Sequence, residues 1–246
     1  MKILVCISNV PDTTSKINFT ADNTAFDTNG IQFVINPYDE FGLTKAIKLR
    51  EQHGGTVTVA HVGPATSEPT LRKALAIGAD DAIRLDADAT DSFFVATELA
   101  TVAKDFDLII TGRESIDYNG GAVPGMMAEI LGMGFINGCT GLSIDGTNAT
   151  LDREIEGGKE SMTASLPLVV AGQKGLVEES ELLIPNMRGI MTARTKPLNV
   201  VPAASTDKRS ASVSFEKPAE KAACKLVEAG NEAELVALLH NEAKAI

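Results

Sequence analysis

The segment from Thr111 to Gly125 is the part of the sequence best suited to contact an anionic small molecule. It contains four glycines, follows a predicted strand and precedes a helix that is predicted to begin near Met126. Glycines let backbone amides come close to a ligand, and the start of a helix carries a partial positive charge. The segment matches neither a Walker loop nor a GxGxxG fingerprint. It therefore predicts a phosphate cradle, with a flexible connection as the alternative.

Two other stretches are expected at the same edge of a parallel sheet. The stretch CISNVPDTT, from Cys6 to Thr14, follows the first predicted strand, and ligands of open α/β sheets bind beyond the carboxyl ends of strands. Its small polar residues would line a nucleotide crevice or simply lead the chain away from the strand. In VINPYDE, residues 34–40, a helix is predicted to begin at Pro37. Its free amides suit a phosphate or a ribose, and the alternative is that Asp39 caps the helix.

A fourth stretch, PNMRGIMTARTKP at residues 185–197, is basic and partly apolar. Residues 188–209 include five basic side chains and one acid, Asp207, in a chain whose formal net charge is −11. Local charge of the opposite sign steers an acidic partner. Met187, Ile190 and Met191 add the adaptable apolar contacts found at interfaces. The alternative is a solvated loop whose methionines pack inward.

Other kinds of chemistry are not indicated. The sequence has no Ser–His–Asp order, no reactive-cysteine context and no spaced carboxylate pair, so no catalytic residue is predicted. Its three histidines and three cysteines lack metal-ligand spacing, and no metal site is expected. The acidic balance argues against nucleic acid. Since no signal peptide or apolar run of about 20 residues occurs, we expect a cytoplasmic protein with no membrane insertion.

The first two-thirds of the chain alternates β-branched runs with helical patterns, as a parallel sheet with crossover helices requires. The predicted strands are residues 2–7, 56–62, 82–85 and 107–111. The helices between them carry apolar residues three and four apart, as at Leu71, Ala74 and Leu75. Ser67 would cap the second helix and Gly78 would close it.

The pattern changes near Gly138. An Asp–Gly turn at 145–146 and a second hairpin turning at 156–158 predict an antiparallel meander that closes the sheet. Scattered prolines in residues 172–213 predict a long surface arm without a central strand. From Ala219 onward helical spacing returns, with a break at Gly230-Asn231, and its apolar stripe needs a cover.

Taken together, these stretches resemble the beta subunit of electron transfer flavoproteins over residues 2–246. The resemblance rests on GP at 63–64, ALAIGAD at 74–80, GRESID at 112–117, REIEGG at 153–158 and RGIMTA at 188–193. It implies an α/β fold, Rossmann-like and similar to adenine nucleotide hydrolases, with a mostly parallel doubly wound sheet, the meander and a partner-binding arm. Residues 1–200 would form the nucleotide-binding domain, including a recognition loop at about 176–197. Residues 201–246 would form an arm and helices that contact an alpha subunit.

The resemblance further implies a redox shuttle. FAD would be held mainly by the alpha subunit of a heterodimer, and AMP by this chain. Electrons would arrive from acyl-CoA dehydrogenases of fatty acid oxidation, or other flavin dehydrogenases, and leave toward a quinone-linked oxidoreductase. The flavin edge would approach Thr13 and Tyr38, and Met187, with Arg188, Ile190 and Met191, would dock the dehydrogenase. The implied nucleotide contacts are Cys6, Asn36, Pro37, Tyr38, Asp39, Val62, Ser115, Asp117, Asn119, Gly120, Gly121, Ala122, Val123, Gly125 and Met126.

The glycine-rich segment departs from the family's usual pattern at Tyr118, Asn119 and residues 122–124. Residues 10–14 are similar to those of electron-bifurcating relatives, which use NADH and bind a second FAD where the others bind AMP. A second FAD therefore stays open beside AMP. A stand-alone nucleotide-binding module would explain the first half of the sequence but leave the arm and tail without a role.

Overall fold

The computed structural model describes residues 1–89, 91–204, 208–221 and 223–246, so Asp207 of the basic stretch lies outside the described residues. Within these ranges nine strands form one sheet, and two short strands form a separate ribbon. The strands are β1 Lys2–Cys6, β2 Asn9–Pro11, β3 Phe33–Ile35, β4 Thr56–Val62, β5 Asp81–Asp86, β6 Leu108–Gly112, β7 Gly134–Asp145, β8 Asn148–Ile155, β9 Gly158–Ser165, β10 Leu168–Gly172 and β11 Leu198–Pro202. The helices are α1 Pro37–His53, α2 Glu68–Ile77, α3 Ser92–Ala103, α4 Val123–Leu131, α5 Met187–Ala193 and α6 Glu232–Asn241.

The large sheet is mostly parallel and carries helices on both faces, which confirms the predicted fold class. In the described chain its order is β11-β5-β4-β1-β6-β10-β7-β8-β9, and the strands from β11 to β7 run parallel. Successive side chains of a strand point to opposite faces. Ile3 and Val5 of β1 accordingly pack in the core that contains α1 and α2, whereas Leu4 and Cys6 pack in the core that contains α3 and α4.

The second helix, α2, begins and ends where predicted, but not by the predicted cap. Ser67 precedes the helix, and its hydroxyl donates to the carbonyl oxygen of Pro64 at 2.8 Å instead of accepting from the first turn. The predicted cap is therefore wrong. Gly78 follows the helix with φ 153°, and a Cβ there would come within 2.9 Å of Ile47 Cδ1. Glycine is required at this position by both its backbone angle and the close neighbour.

The antiparallel meander is confirmed, and it begins close to the predicted position. The first half of β7, from Gly134, pairs in parallel with β10, and antiparallel pairing with β8 starts at Cys139. The turn after Asp145 has Gly146 at φ 60°, and β8 then pairs with β9 along its whole length. β10 follows the meander, and its five residues are all buried.

The predicted surface arm contains a strand that the sequence interpretation missed. β11 pairs in parallel with β5 at the edge of the sheet. Pro197 and Pro202 lie just before it and at its end, and an edge strand tolerates proline because one side of its backbone needs no partner. The prolines thus correctly excluded a central strand but not an edge strand. A domain boundary after residue 200 would fall inside β11.

Two cations fix α5 against α2. Arg72 Nη1 donates to the carbonyl oxygens of Ala193 at 2.8 Å and Lys196 at 2.7 Å. Lys196 Nζ donates to the carbonyl oxygens of Leu75 at 3.0 Å and Ala79 at 2.5 Å. Each cation thus satisfies carbonyls at the carboxyl-terminal end of the other helix, where the backbone lacks partners and carries partial negative charge.

Only the second half of the tail is helical. Among the described residues after Ala219, helix is present only in α6, so the predicted helical stretch before Gly230-Asn231 is wrong. The apolar side chain of Leu226 there is 92% exposed. Short segments gain too little from local hydrogen bonds to stay helical without packing. Among the described residues no helix is long and apolar enough to cross a membrane.

The contact between α5 and α2 depends on a glycine. A Cβ at Gly189 would overlap the carbonyl oxygen of Ala76. We expect Gly189→Ala to lower the free energy of unfolding by about 1–3 kcal/mol, the usual cost of overpacking, which exceeds the helix-propensity gain of about 1 kcal/mol. Urea unfolding followed by circular dichroism measures the change.

Gly158 provides the matched control. It lies in β9, and no atom lies within 4 Å of the position of a Cβ. Gly158→Ala should leave the urea midpoint unchanged or raise it slightly. Equal effects of the two substitutions would contradict the close approach of α5 to α2.

Candidate functional site

A cavity of about 520 Å³ lies at the carboxyl ends of β1, β4 and β6. This is the edge at which open α/β sheets bind ligands, and the volume is within the roughly 300–1,000 Å³ typical of small-molecule sites. We call it the rim cavity. Its lining is Cys6, Ile7, Ser8, Asn9, Asp39, His61, Val62, Ala89, Asp91, Ser92, Val95, Leu99, Thr111, Gly112, Glu114, Ser115, Asp117, Tyr118, Gly120, Gly121, Ala122, Val123, Pro124, Ser210, Ala211 and Ser212.

The rim cavity brings together residues that are far apart in the sequence. Of the implied nucleotide contacts, Cys6, Asp39, Val62, Ser115, Asp117, Gly120, Gly121, Ala122 and Val123 line it. The other implied nucleotide contacts, which do not belong to its lining, are Asn36, Pro37, Tyr38, Asn119, Gly125 and Met126, and Thr13, implied at the flavin edge, does not line it either. The three stretches placed at one edge of the sheet from sequence alone thus meet there, although individual residues differ.

The carboxylate of Asp39 joins the ends of two neighbouring strands. Its Oδ2 accepts a hydrogen bond from the backbone N–H of Ser8 at 2.7 Å, and its Oδ1 accepts one from the N–H of Gly112 at 2.7 Å. Asp39 is 3% exposed. It makes no cap on α1, whose first turn has no side-chain cap, so the proposed capping role is wrong. Burial raises the pKa of Asp39 from 3.8 to about 7, while hydrogen bonds from the Ser8 N–H, the Asn36 side chain and the Gly112 N–H oppose the shift.

Asn36 holds the start of the glycine-rich segment. Its Nδ2 donates to the carbonyl oxygen of Glu114 at 2.9 Å, and its Oδ1 accepts from the N–H of Ile116 at 3.2 Å. The side chain is completely buried and is occupied by these two contacts. The segment is therefore anchored at its beginning, which argues against a flexible connection there.

The glycine-rich segment leads into α4 at the cavity wall. The helix begins at Val123, three residues earlier than predicted, with Pro124 in its first turn and no side chain capping it. Ala122, Val123 and Pro124 all line the rim cavity. An uncapped first turn presents backbone donors and partial positive charge. This end of the cavity is therefore suited to a phosphate or another anion.

Another part of the lining is mostly apolar. Val62, Val95 and Leu99 line it together with Cys6. Burial, aided by the charge of Asp39, raises the pKa of the Cys6 thiol, so the thiol stays protonated and is a poor nucleophile. This surface suits the flat face of a nucleobase.

Some lining residues had no motif to mark them. His61 Nδ1 lies 2.9 Å from the carbonyl oxygen of Ile7, and burial, with the nearby charge of Arg84, lowers the pKa of His61. The ring is therefore neutral at pH 7 and donates from Nδ1. The only sequence signal that His61 lies in the lining is its position beside Val62. No sequence signal placed Asp91, at the start of α3, in the lining.

The charges of the lining limit what the cavity can do. Four carboxylates line it, from Asp39, Asp91, Glu114 and Asp117, and among the described lining residues there is no lysine or arginine. A bound anion would thus be held by backbone amides and not by cations. The arrangement is suited to holding a ligand rather than transferring protons to it.

A second cavity of about 480 Å³ lies beside the first. Tyr38, Arg113, Gln173 and Lys174 contribute to its lining, and Arg113 Nη1 donates to Gln173 Oε1 at 3.1 Å. Tyr38 therefore lies on this neighbouring surface, whereas Thr13 lies on an exposed turn that lines neither cavity.

The predicted docking residues lie on one exposed helix. Met187 and Met191 of α5 are 76% and 69% exposed, and Ile190 is 44% exposed. Arg188 is exposed as well. The alternative, a solvated loop with methionines packed inward, is therefore wrong. Asn186 caps α5 by accepting a hydrogen bond from the N–H of Gly189 at 2.8 Å, and α5 lines neither cavity.

Known proteins are similar in sequence to this chain. Residues 23–206 match the family model described as electron transfer flavoprotein domain. The chain is 36% identical over 262 aligned residues to the electron transfer flavoprotein subunit beta of Bacillus subtilis (strain 168), with 100% of both chains covered. It is 36% identical to the subunit of the same name from Syntrophomonas wolfei, covering 91% of this chain and 88% of the relative. Protein FixA of Azorhizobium caulinodans is 34% identical over 69% of this chain and 65% of its own length.

The strand-joining role of Asp39 can be tested with Asp39→Asn. Both oxygens of the Asp39 carboxyl group keep acceptor capacity whether it is ionised or protonated, whereas an amide turns an NH2 donor group toward one of the two backbone N–H groups. We expect the free energy of unfolding to fall by about 1–3 kcal/mol at pH 5, as for an unsatisfied buried polar group. Urea unfolding measures this loss, and hydrogen exchange at Ser8 and Gly112 should accelerate. Glu40→Gln, on the next residue, is the matched control and should leave both amides protected.

Comparison of the wild type with Asp39→Asn also tests how the free energy of unfolding depends on pH. The pKa of Asp39 is about 7 in the fold and 3.8 as its ordinary value, so its contribution to stability is complete below pH 4 and is lost as the pH rises to about 7. The wild type should therefore lose stability relative to Asp39→Asn between pH 5 and pH 8. A difference between the two proteins that stays constant over this range would contradict the shifted pKa.

Proposed function

The chain belongs to the electron transfer flavoprotein beta-subunit family, and we propose that it holds AMP in the rim cavity and docks flavin dehydrogenases through α5. The family implies electron transfer by a flavoprotein and a heterodimer with an alpha subunit. FAD, bound mainly by the alpha subunit, supplies the electron-accepting group. This chain supplies binding surfaces and makes or breaks no bond.

The rim cavity is the observation that carries the nucleotide proposal. One part of its lining has the uncapped start of α4 and the glycine-rich segment, and another part has Val62, Val95 and Leu99. A phosphate fits the first part and a base fits the second. The volume of about 520 Å³ supports a mononucleotide over the much larger FAD. Of the residues implied by the family resemblance, the nine that line the cavity are the proposed contacts.

The second cavity supports a role at the flavin of the partner subunit. Tyr38 is the residue implied at the flavin edge that lines this cavity. Since FAD would be held by another chain, this surface would form one wall and exclude water there. Thr13, on the exposed turn that follows β2, is proposed to belong to the same wall.

The surface of α5 supports docking of an acidic partner. It presents Met187, Ile190 and Met191 beside Arg188 on a helix that is fixed to α2. An exposed apolar anchor next to a cation gives both contact area and steering. The proposed donors are acyl-CoA dehydrogenases or other flavin dehydrogenases, the proposed acceptor is a quinone-linked oxidoreductase, and the proposed compartment is the cytoplasm.

An electron-bifurcating variant is the second candidate. The similarity of residues 10–14 to bifurcating relatives favours it, and the departures at Tyr118 and residues 122–124 change the wall of the rim cavity. In that variant a second FAD would replace AMP, and NADH would be the donor. A stand-alone module is disfavoured because the tail leaves apolar side chains such as Leu226 exposed.

Nucleotide content tests the main proposal. The chain is co-expressed with a candidate large subunit, and the purified complex is denatured to release its nucleotides for chromatography and mass spectrometry. One FAD and one AMP per heterodimer are expected. Two FAD would establish the bifurcating variant instead. A complex that contains FAD but no nucleotide in this chain would overturn the AMP proposal.

Docking is tested with Met187→Ala. Removing the anchor should slow reduction of the heterodimer by a purified acyl-CoA dehydrogenase roughly fivefold to thirtyfold, as expected when about 1–2 kcal/mol of interaction is lost. FAD content should not change, because α5 lines neither cavity. Stopped-flow absorbance measures the rate. Ile130→Ala, on the 44% exposed side chain of Ile130 in α4, should react at the wild-type rate. Unchanged kinetics of Met187→Ala would remove the anchor assignment.

A further inference from the structure

The chain crosses the mouth of the rim cavity after it leaves β11. Ser210, Ala211 and Ser212 belong to the lining, although they lie about ninety residues beyond the glycine-rich segment. We call residues 208–217 the strap. Neither the Ser210 nor the Ser212 hydroxyl has a hydrogen-bond partner among the described residues. Both side chains therefore remain free to bond a ligand in the cavity.

Asp91 fastens the first end of the strap. Its Oδ2 accepts hydrogen bonds from the backbone N–H of Arg209 at 2.5 Å and of Ser210 at 2.6 Å. Its Oδ1 caps α3 by accepting from the N–H of Phe94 at 2.7 Å. These donors, Phe94 first, lower the pKa of Asp91 and keep it ionised. The Arg209 guanidinium also lies 4.7 Å from the ring centroid of Phe93.

The other end of the strap is fastened on the loop between β2 and β3. The rings of Phe215 and Phe19 stack with centroids 5.1 Å apart. The N–H of Phe215 donates to the carbonyl oxygen of Asn23 at 2.8 Å, and Lys217 Nζ donates to Asn18 Oδ1 at 2.7 Å. The strap is thus held at α3 on one side and at this loop on the other.

We propose that the strap is a wall of the nucleotide site, in which Ser210 and Ser212 contact the bound nucleotide and Asp91 keeps the wall closed. The inference rests on the proposed nucleotide and adds residues that the resemblance to the family does not assign. The charged side chains that line the cavity are carboxylates. A neutral hydroxyl donor suits a ligand there, because it can donate a hydrogen bond to phosphate or ribose oxygens without adding negative charge. Departure of the nucleotide then requires the strap to lift.

The test uses Asp91→Ser and Phe215→Ala in the purified heterodimer reloaded with radiolabelled AMP. Serine keeps an oxygen to cap α3 but lacks the second oxygen that holds the strap. Each variant should release AMP at least roughly tenfold faster than the wild type, because hydrogen bonds to a charged group or an aromatic stack are lost. Asp105→Ser, at an exposed site beyond the other end of α3, is the control and should release AMP at the wild-type rate.

Hydrogen exchange gives a second readout that does not depend on the variants. In the wild-type heterodimer, AMP should slow exchange of residues 208–217 relative to the complex stripped of nucleotide. Release at the wild-type rate from both variants, or no protection by AMP, would overturn the strap proposal while leaving the nucleotide site intact. A wild-type heterodimer that retains no AMP would overturn both proposals.

Discussion

A single buried carboxylate holds the functional edge of this protein together. Asp39 accepts backbone hydrogen bonds from the exits of β1 and β6, two strands that are adjacent in the sheet but more than one hundred residues apart in sequence. Loops at a sheet edge are otherwise free to separate, since they lack ladder hydrogen bonds. With Asn36 fixing the next turn, the first turn of α1 sets the shape of the cavity wall without contributing a charge free to meet a ligand.

The parts that sequence predicted are those set by local pattern. The strand β10 is a continuous apolar run, β4 is rich in β-branched residues, and the hairpin after β7 has glycine where φ must be positive. The location of the site at the carboxyl-terminal edge of the sheet followed from the direction of the parallel strands. Individual roles were not predictable in this way: Asp39 has the residue type of a cap, but a tertiary contact decides its role.

Other parts depend on contacts between distant segments and leave no local signal. β11 is a strand because β5 offers an unpaired edge. α5 is a helix whose position is set by Arg72 and Lys196, which lie on or beside different helices. The Ser210 to Ser212 segment has the composition of any polar loop, and only its position across the cavity mouth makes it part of the lining. No periodicity in the sequence encodes these placements.

For the docking proposed at α5, the reciprocal contacts of Arg72 and Lys196 have a consequence for the speed of exchange with other proteins. A surface that is already rigid loses little conformational entropy when a partner arrives, and a basic, preorganised patch raises the rate of encounter. The exposed large apolar side chains of α5 are Met187, Ile190 and Met191, a small anchor of the kind found in transient complexes. Fast arrival and fast departure are what a carrier needs when it must leave one protein before it can serve the next.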